Sequence, residues 1–144
     1  MTHSSIIEVG LFPIEEQDRI SQKTIFATNS WFVGEVADYL DDAHRDDVIE
    51  LLSKTAKGFI ISEDACGKFI QVTDKKAYFT PQWEAFQQKN HASIPLEAFM
   101  GLRGLDESDI YIYADGELMT FDEFIRGSVG AEPYYIGGIV DYHY

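Results

Sequence analysis

Residues 30–57 read SWFVGEVADYLDDAHRDDVIELLSKTAK and show the clearest helical periodicity in the chain. Apolar residues recur there at the spacing of one helix face, at Val33, Val36, Ala37, Leu40, Val48 and Leu51. Ser30 is a suitable N-cap, and Lys54 followed by Gly58 suits a helix C-terminus. The pattern predicts one long amphipathic helix over about residues 30–57.

Carboxylates occupy the opposite face of this predicted helix, at Glu35, Asp38, Asp42, Asp46 and Glu50. Residues three or four apart on a helix are about 5 to 6 Å apart along its axis, which is close to the phosphate spacing of a nucleic-acid strand. The row therefore predicts a surface that imitates a phosphate backbone. The alternative explanation is an ordinary solvated helix face, on which charged residues are common.

Short strands are predicted on both sides of this helix, because β-branched and aromatic residues alternate there between turn residues. The predicted strands cover residues 5–12, 24–28, 58–63, 68–73, 77–80, 109–114 and 134–144. Asp115-Gly116 is typical of a tight hairpin turn. Gly137-Gly138 indicates a bulge or a close backbone approach within the last strand.

Three short helices are predicted in the second half of the chain. Thr80 followed by Pro81 is a cap with proline at the first helical position, which predicts a helix to about Lys89. A second helix is predicted over residues 93–100. Thr120 and Glu123 form a capping box before a third, over residues 121–126.

Mixed short strands and helices without regular βαβ alternation predict an α+β fold with a largely antiparallel sheet. The 144 residues contain no internal repeat and no linker-like tract, so a single compact domain spanning residues 1–144 is expected. Ten Phe and eight Tyr supply enough apolar surface for a core, which distinguishes the chain from a disordered acidic tail.

The charge is the unusual feature of the composition. The chain has 25 acidic and 11 basic residues, a formal net charge of −14. Such a field repels the phosphates of nucleic acid and of anionic lipid and attracts basic protein surfaces. We therefore expect a basic protein partner, and we expect neither nucleic acid nor membrane to be bound.

No motif indicates a metal or a cofactor. The glycines do not form a phosphate-binding turn that leads into a helix. The four histidines, His3, His44, His91 and His143, are dispersed, and one cysteine accompanies them, which disfavours a zinc site. Neither a cofactor nor a catalytic residue is predicted.

Cys66 is the best candidate nucleophile, because it lies in a predicted turn beside Asp64, and His44 and His91 are the candidates for a base that approaches it in space. A reactive thiolate needs a nearby cation or a helix N-terminus, and Lys68 is the sole cation close in sequence. An enzyme with a dispersed site around Cys66 or a histidine is therefore kept as an alternative. The unpaired cysteine and the absence of a signal-like N-terminal segment predict a cytoplasmic protein.

Tyrosines beside carboxylates form a second candidate surface. Tyr111 and Tyr113 share one face of a predicted strand with Asp109 and Asp115. Aromatic rings often anchor protein interfaces while charges orient the partner. The alternative is that these tyrosines cover one face of the sheet.

These features together predict a non-catalytic acidic inhibitor that blocks a basic nucleic-acid-processing protein. The profile is similar to that of immunity proteins against nuclease toxins and of phage nucleic-acid mimics with anti-CRISPR or anti-restriction activity. The similarity is one of physical character and rests on no shared motif. Besides the small enzyme, a structural or adaptor subunit of a phage or host complex is a further alternative.

Overall fold

The computed structural model describes residues 2–105 and 108–144. One mixed sheet is formed by seven strands: β1 (His3–Gly10), β2 (Tyr39–Asp42), β3 (Phe59–Asp64), β4 (Gly67–Val72), β5 (Tyr111–Ala114), β6 (Glu117–Thr120) and β7 (Pro133–His143). The helices of the described residues are α1 (Gln22–Thr28), α2 (Phe32–Glu35), α3 (Arg45–Thr55), α4 (Lys75–Asn90), α5 (Leu96–Met100) and α6 (Phe121–Gly127), with one 3₁₀ turn at Glu16–Asp18. The predicted α+β class is confirmed.

The last strand, β7, lies at the centre of the sheet. The strand order is β3-β4-β7-β1-β5-β6, and β2 also pairs with β7. One edge of β7 pairs with β1, while its other edge pairs first with β4 and then with β2. β1 and β5 are parallel, and the other described pairs are antiparallel. The predicted largely antiparallel sheet is confirmed.

Helices cover both faces of this sheet. The neighbouring residues Ile6 and Ile7 are fully buried, and they belong to two different apolar cores. The core around Ile7 includes buried side chains of α3, α4, α5 and α6, whereas the core around Ile6 includes those of α1 and α2. Because each large apolar side chain contributes about 1.5 to 3 kcal/mol when fully buried, both cores stabilise the central strands.

The prediction of a single long helix over residues 30–57 is wrong. Gly34 has a φ of +104°, and α2 ends one residue later. The chain then forms β2, whose Leu40 is buried, and α3 begins at Arg45. Leu40 fits a helical period as well as a strand, but in β2 the backbone pairs with the available edge of β7.

Two of the predicted strands are also helical. Residues 24–28 lie in α1, where the Ser21 N–H donates to Thr24 Oγ1 at 3.1 Å. Residues 77–80 lie in α4, which is capped by Asp74 through a 3.1 Å hydrogen bond from the Ala77 N–H. Helix α4 therefore begins well before the predicted start at Thr80 and includes Pro81.

The predicted hairpin turn at Asp115-Gly116 is confirmed, and so is the cap that Thr120 supplies to α6. β3 pairs with β4 and β5 with β6, and Asp115 and Gly116 at the second turn have φ values of 51° and 81°. Before α6, the Glu123 N–H donates to Thr120 Oγ1 at 3.1 Å. Turn and cap chemistry is local, so the sequence predicts it well.

Gly137 and Gly138 permit two close approaches to β7. A Cβ on Gly137 would overlap the Glu8 carboxylate, and a Cβ on Gly138 would overlap the backbone oxygen of Ile20. Glu8 Oε1 accepts hydrogen bonds from the Gly138 N–H at 2.9 Å and the Ile20 N–H at 3.0 Å. The register of β1 against β7 shifts around Glu8. The predicted bulge or close approach is confirmed.

Arg45 fills a gap along the other edge of β7. The register there passes from β4, opposite residues 133–135, to β2, opposite residues 140–143. Between them, Arg45 Nε donates to the Gly137 carbonyl at 2.8 Å and Nη2 donates to the Ile136 carbonyl at 2.9 Å. Burial and the nearby Arg19 lower the pKa of Arg45.

No helix in the described residues has both the length and the apolar composition needed to cross a membrane.

Candidate protein-binding surface

The five carboxylates predicted to share one helix face lie on three separate elements. Glu35 ends α2, Asp38 precedes β2, and Asp42 ends β2. Asp46 and Glu50 lie on α3. All five are exposed, but the single row that motivated their choice does not exist.

The structure instead groups a different set of carboxylates around a groove beside α3. This acidic groove has a volume of about 500 Å³. Its carboxylates are Asp42, Asp47, Asp109 and Asp141, and its apolar lining is Ala43, Val48, Leu51, Leu52 and Ile110. His3, Ser4, Ser5, His44 and Thr55 complete it, and among the described residues no Lys or Arg lines it.

The amphipathic character of α3 explains the apolar lining. Ile49 and Leu52 are buried in the core, whereas Leu51 is 64% exposed and lies in the groove. Asp46 and Asp47 are in the first turn, where negative charge is favourable against the positive end of the helix dipole. The helix therefore presents an exposed leucine and a carboxylate to the same groove.

Asp109 is fixed by contacts with both terminal strands. Ser4 Oγ donates to Asp109 Oδ1 at 3.1 Å, and the Tyr144 hydroxyl donates to Oδ2 at 2.7 Å. This second hydrogen bond raises the pKa of Tyr144. The Tyr142 hydroxyl donates to the Asp109 carbonyl, and burial raises the pKa of Tyr142 well above its usual range. Asp109 is therefore held in place at the groove wall.

A histidine pair lies beside Asp141. His3 Nδ1 is 3.1 Å from Asp141 Oδ1, and His143 Nε2 is 3.3 Å from Oδ2. The His143 ring stacks on His3 with centroids 5.5 Å apart and on Tyr39 with centroids 4.3 Å apart. Asp42 is held at the far side by Gln22, whose Nε2 donates to Asp42 Oδ1 at 3.0 Å.

Of the nine residues predicted for the site, Asp42 and Asp109 line the acidic groove. Asp46 and Glu50 lie on α3 outside it, and they are 3.7 Å from Arg45 and 3.0 Å from Lys54 respectively. Glu35 and Asp38 lie away from the groove lining. The groove therefore includes one residue from each of the two predicted surfaces.

The tyrosines predicted as interface anchors pack inside the molecule. Tyr113 is 8% exposed and belongs to the core around Ile6, and Tyr111 packs against that core. The Phe32 ring contacts Tyr111 edge to face with centroids 4.9 Å apart. Covering the sheet, the alternative considered for these tyrosines, matches their position. Asp115 is exposed in the β5–β6 turn.

Cys66 is exposed in the β3–β4 turn. Its N–H donates to Asp64 Oδ1 at 2.8 Å, and the Tyr135 hydroxyl donates to the same carboxylate, at Oδ2. Neither group supplies the positive charge that activates a thiolate. Within the described residues, no group of three or more His, Cys, Asp or Glu side chains could hold a metal ion.

Sequence reasoning missed Asp47, Asp141 and the histidine pair as members of the surface. They meet because β1 and β7 pair along their length and β2 joins them. Such long-range pairing has no local signal in the sequence. The one feature of the sequence that indicated an acidic surface built from both ends of the chain is the excess of acidic residues in its first and last thirds.

No protein-family model matches the chain, and comparisons with curated proteins and with solved structures likewise found no match.

Proposed function

We propose that this protein is a non-catalytic acidic inhibitor that binds a basic surface of a nucleic-acid-processing protein. The observation that carries the proposal is the acidic groove. Four carboxylates from separate parts of the chain converge on one concave apolar surface, with no Lys or Arg in its described lining to neutralise them. A basic partner surface that also carries an apolar side chain would complement both the negative charge of the groove and the exposed Leu51.

The groove has the composition of a small interface core with a charged rim. Val48, Leu51 and Ile110 offer apolar contact area, and the carboxylates around them favour Lys or Arg on the partner. A basic loop or helix with one apolar side chain between its cations fits this arrangement. In such an interface, exposed charges mainly accelerate encounter, whereas the apolar contact slows dissociation.

Nuclease toxins and nucleic-acid-binding defence complexes present basic surfaces of this kind, since they bind phosphates. The protein would then act in the cytoplasm as an immunity protein, or as a phage anti-CRISPR or anti-restriction protein. Neither role needs a cofactor. The formal net charge of −14 supports a protein partner over nucleic acid or an anionic membrane.

The test begins with affinity capture from the native host, followed by surface plasmon resonance with the captured protein at two salt concentrations. The groove variant Asp42→Asn, Asp47→Asn, Asp109→Asn should associate about tenfold more slowly and with a flatter salt dependence. Asn keeps the acceptor oxygens that Gln22 and Ser4 use, so the fold should persist. Leu51→Ala should instead accelerate dissociation, because it removes apolar contact area.

The matched control carries the same change in net charge away from the groove: Glu63→Gln, Glu84→Gln, Glu132→Gln. These side chains are exposed and do not line the groove. An equal loss of association rate in the control would mean that total charge, not the groove, drives binding. Capture of nucleic acid instead of a basic protein would overturn the proposal.

A further inference from the structure

The parallel strands β1 and β5 end side by side, and the chain leaves them towards opposite faces of the sheet. After β1 it continues through the Glu16–Asp18 turn to Ile20 and α1, which pack in the core around Ile6. After β5 it turns through β6 into α6, which packs in the core around Ile7. Where neighbouring parallel strands diverge in this way, a crevice forms beyond their carboxyl ends, and ligands commonly bind there.

A crevice of about 760 Å³ lies at this position. We call it the β1–β5 crevice. Phe12, Ile14, Met119, Phe124 and Tyr134 supply its apolar and aromatic lining. Phe12 is 81% exposed, which is unusual for a phenylalanine and leaves its ring available to a ligand. The volume is within the range of small-molecule sites, about 300 to 1,000 Å³.

The charged groups of the crevice all have one sign. Glu8, Asp115 and Glu123 line it, and no Lys, Arg or His does so among the described residues. The two hydrogen bonds that Glu8 accepts, from Ile20 and Gly138, both go to Oε1, so Oε2 keeps its capacity to accept. Glu123 accepts from Thr120 at 3.3 Å through Oε1. The crevice therefore combines an apolar body with carboxylate acceptors.

We propose that the β1–β5 crevice binds a small organic cation, a protonated amine attached to an aromatic or aliphatic body. The charges decide the class, because an anion would meet three carboxylates, whereas an ammonium group gains attraction and hydrogen bonds from them. The aromatic lining also favours a cation near its rings. The acidic groove lies elsewhere on the sheet, so this site goes beyond the proposed function and is independent of it.

The test uses three ligands with similar bodies and different charges: 2-phenylethylammonium, 2-phenylethanol and 3-phenylpropanoate. Each is titrated into ¹⁵N-labelled protein, and the glycine amides are followed by two-dimensional NMR. Gly10, Gly116 and Gly127 line the crevice, whereas Gly67 and Gly101 do not and serve as internal controls. The ammonium should shift the first set saturably, the alcohol should bind about fivefold more weakly, and the carboxylate should not bind.

The double variant Asp115→Asn, Glu123→Gln tests the charges without disturbing the fold. Asn tolerates the positive φ of position 115, and Gln keeps an acceptor oxygen for the Thr120 hydroxyl. Affinity for the ammonium should fall towards that of the alcohol, and affinity for the alcohol should not change. The control Glu63→Gln, Glu84→Gln, equally altered in net charge and outside the crevice, should bind like the wild type.

Three results would overturn the proposal. Equal affinity for the ammonium and the alcohol would remove the role of the carboxylates. An equal loss in the control variant, or shifts centred on Gly67 and Gly101, would show diffuse attraction to an acidic protein. Absence of saturable binding in the millimolar range would show that the crevice has no affinity for this class.

Discussion

Asp64 connects the β3–β4 turn to the central strand. Its Oδ1 accepts from the N–H groups of Cys66 and Gly67 at 2.8 and 3.2 Å, and its Oδ2 accepts from the Tyr135 hydroxyl at 2.7 Å. The hydrogen bond from Tyr135, followed by that from Cys66, lowers the pKa of Asp64. The same bond raises the pKa of Tyr135 to about 12. One exposed carboxylate thus joins two elements through pH-sensitive contacts.

We expect the Asp64→Asn variant to lower the pKa of Tyr135 towards its ordinary value of 10.0. In the wild type, the phenol contributes stability that is complete below pH 10 and is lost as the pH rises through about 12. The carboxylate contributes in the opposite sense, because its pKa is lowered: its contribution is present above pH 3.8 and is lost on further acidification. Ultraviolet titration of tyrosinate measures the first change.

Tyr135→Phe identifies the titration step that belongs to this phenol, since that step disappears from the curve. Glu63→Gln is the control, because it removes a neighbouring charge on β3 without touching the Tyr135 hydroxyl. If the curve of Asp64→Asn matched that of the wild type, the hydrogen bond would not exist in solution.

At the level of elements, the close packing of the segment before α1 on β7 depends on Gly138. A Cβ there would overlap the Ile20 oxygen and lie 2.8 Å from the Ile20 nitrogen. Since both neighbours are backbone atoms, they cannot rotate away. We expect Gly138→Ala to lower the free energy of unfolding by about 1 to 3 kcal/mol, which urea denaturation can measure.

Gly127→Ala is the matched control for this substitution. No atom lies within 4 Å of a Cβ built on Gly127, and its φ is not positive. In α6, alanine should be neutral or slightly stabilising relative to glycine. A loss of stability equal in both variants would attribute the effect to the glycine-to-alanine change in general and not to contact with Ile20.

The elements that the sequence predicted correctly are those with local chemistry. Asp115-Gly116, Thr120 with Glu123, and the final strand with its glycine pair are all found in the structure. The prediction of one helix over residues 30–57 was wrong because Leu40 satisfies a helical period although its backbone pairs with β7. The pairing of β2 with β7 determines the structure there, although the local periodicity is helical. The predicted acidic row is therefore wrong as well, because it required the helix.

The candidate surface, like the fold, was predictable only in part from the sequence. The charge excess indicated acidic surfaces, and two of the predicted residues, Asp42 and Asp109, line the acidic groove. Tyr113 was chosen because it shares a strand face with acidic residues, but the alternation of a strand does not tell which of its faces a helix covers. α1 and α2 cover that face.

At the scale of the whole molecule, repulsion among carboxylates outweighs the ion pairs. There are 25 acidic against 11 basic residues, and exposed pairs such as Lys54–Glu50 and Lys76–Glu97 add little to stability. We expect added sodium chloride to raise the free energy of unfolding, because salt screens the net repulsion of the folded state. Urea denaturation over a series of salt concentrations measures this.

Potassium chloride at equal ionic strength is the control, because it screens charges equally and differs from sodium chloride only in the cation that could bind a carboxylate cluster. Screening alone predicts the same gain with both salts. A stability that falls with salt would mean that the ion pairs dominate the balance after all.

The pairing of β1 with β7 also determines how the chain must fold. His3 pairs with His143 and Val9 with Ile136, so almost the entire chain separates the two strands. Closing so long a loop costs conformational entropy before the contacts repay it, and topologies of this kind fold slowly. The β3–β4 and β5–β6 hairpins are local and can form early, but the remaining edge of β4 pairs with β7 and that of β5 with β1, so the sheet becomes continuous only when β1 and β7 meet. We therefore expect the meeting of the first and last strands to limit the folding rate.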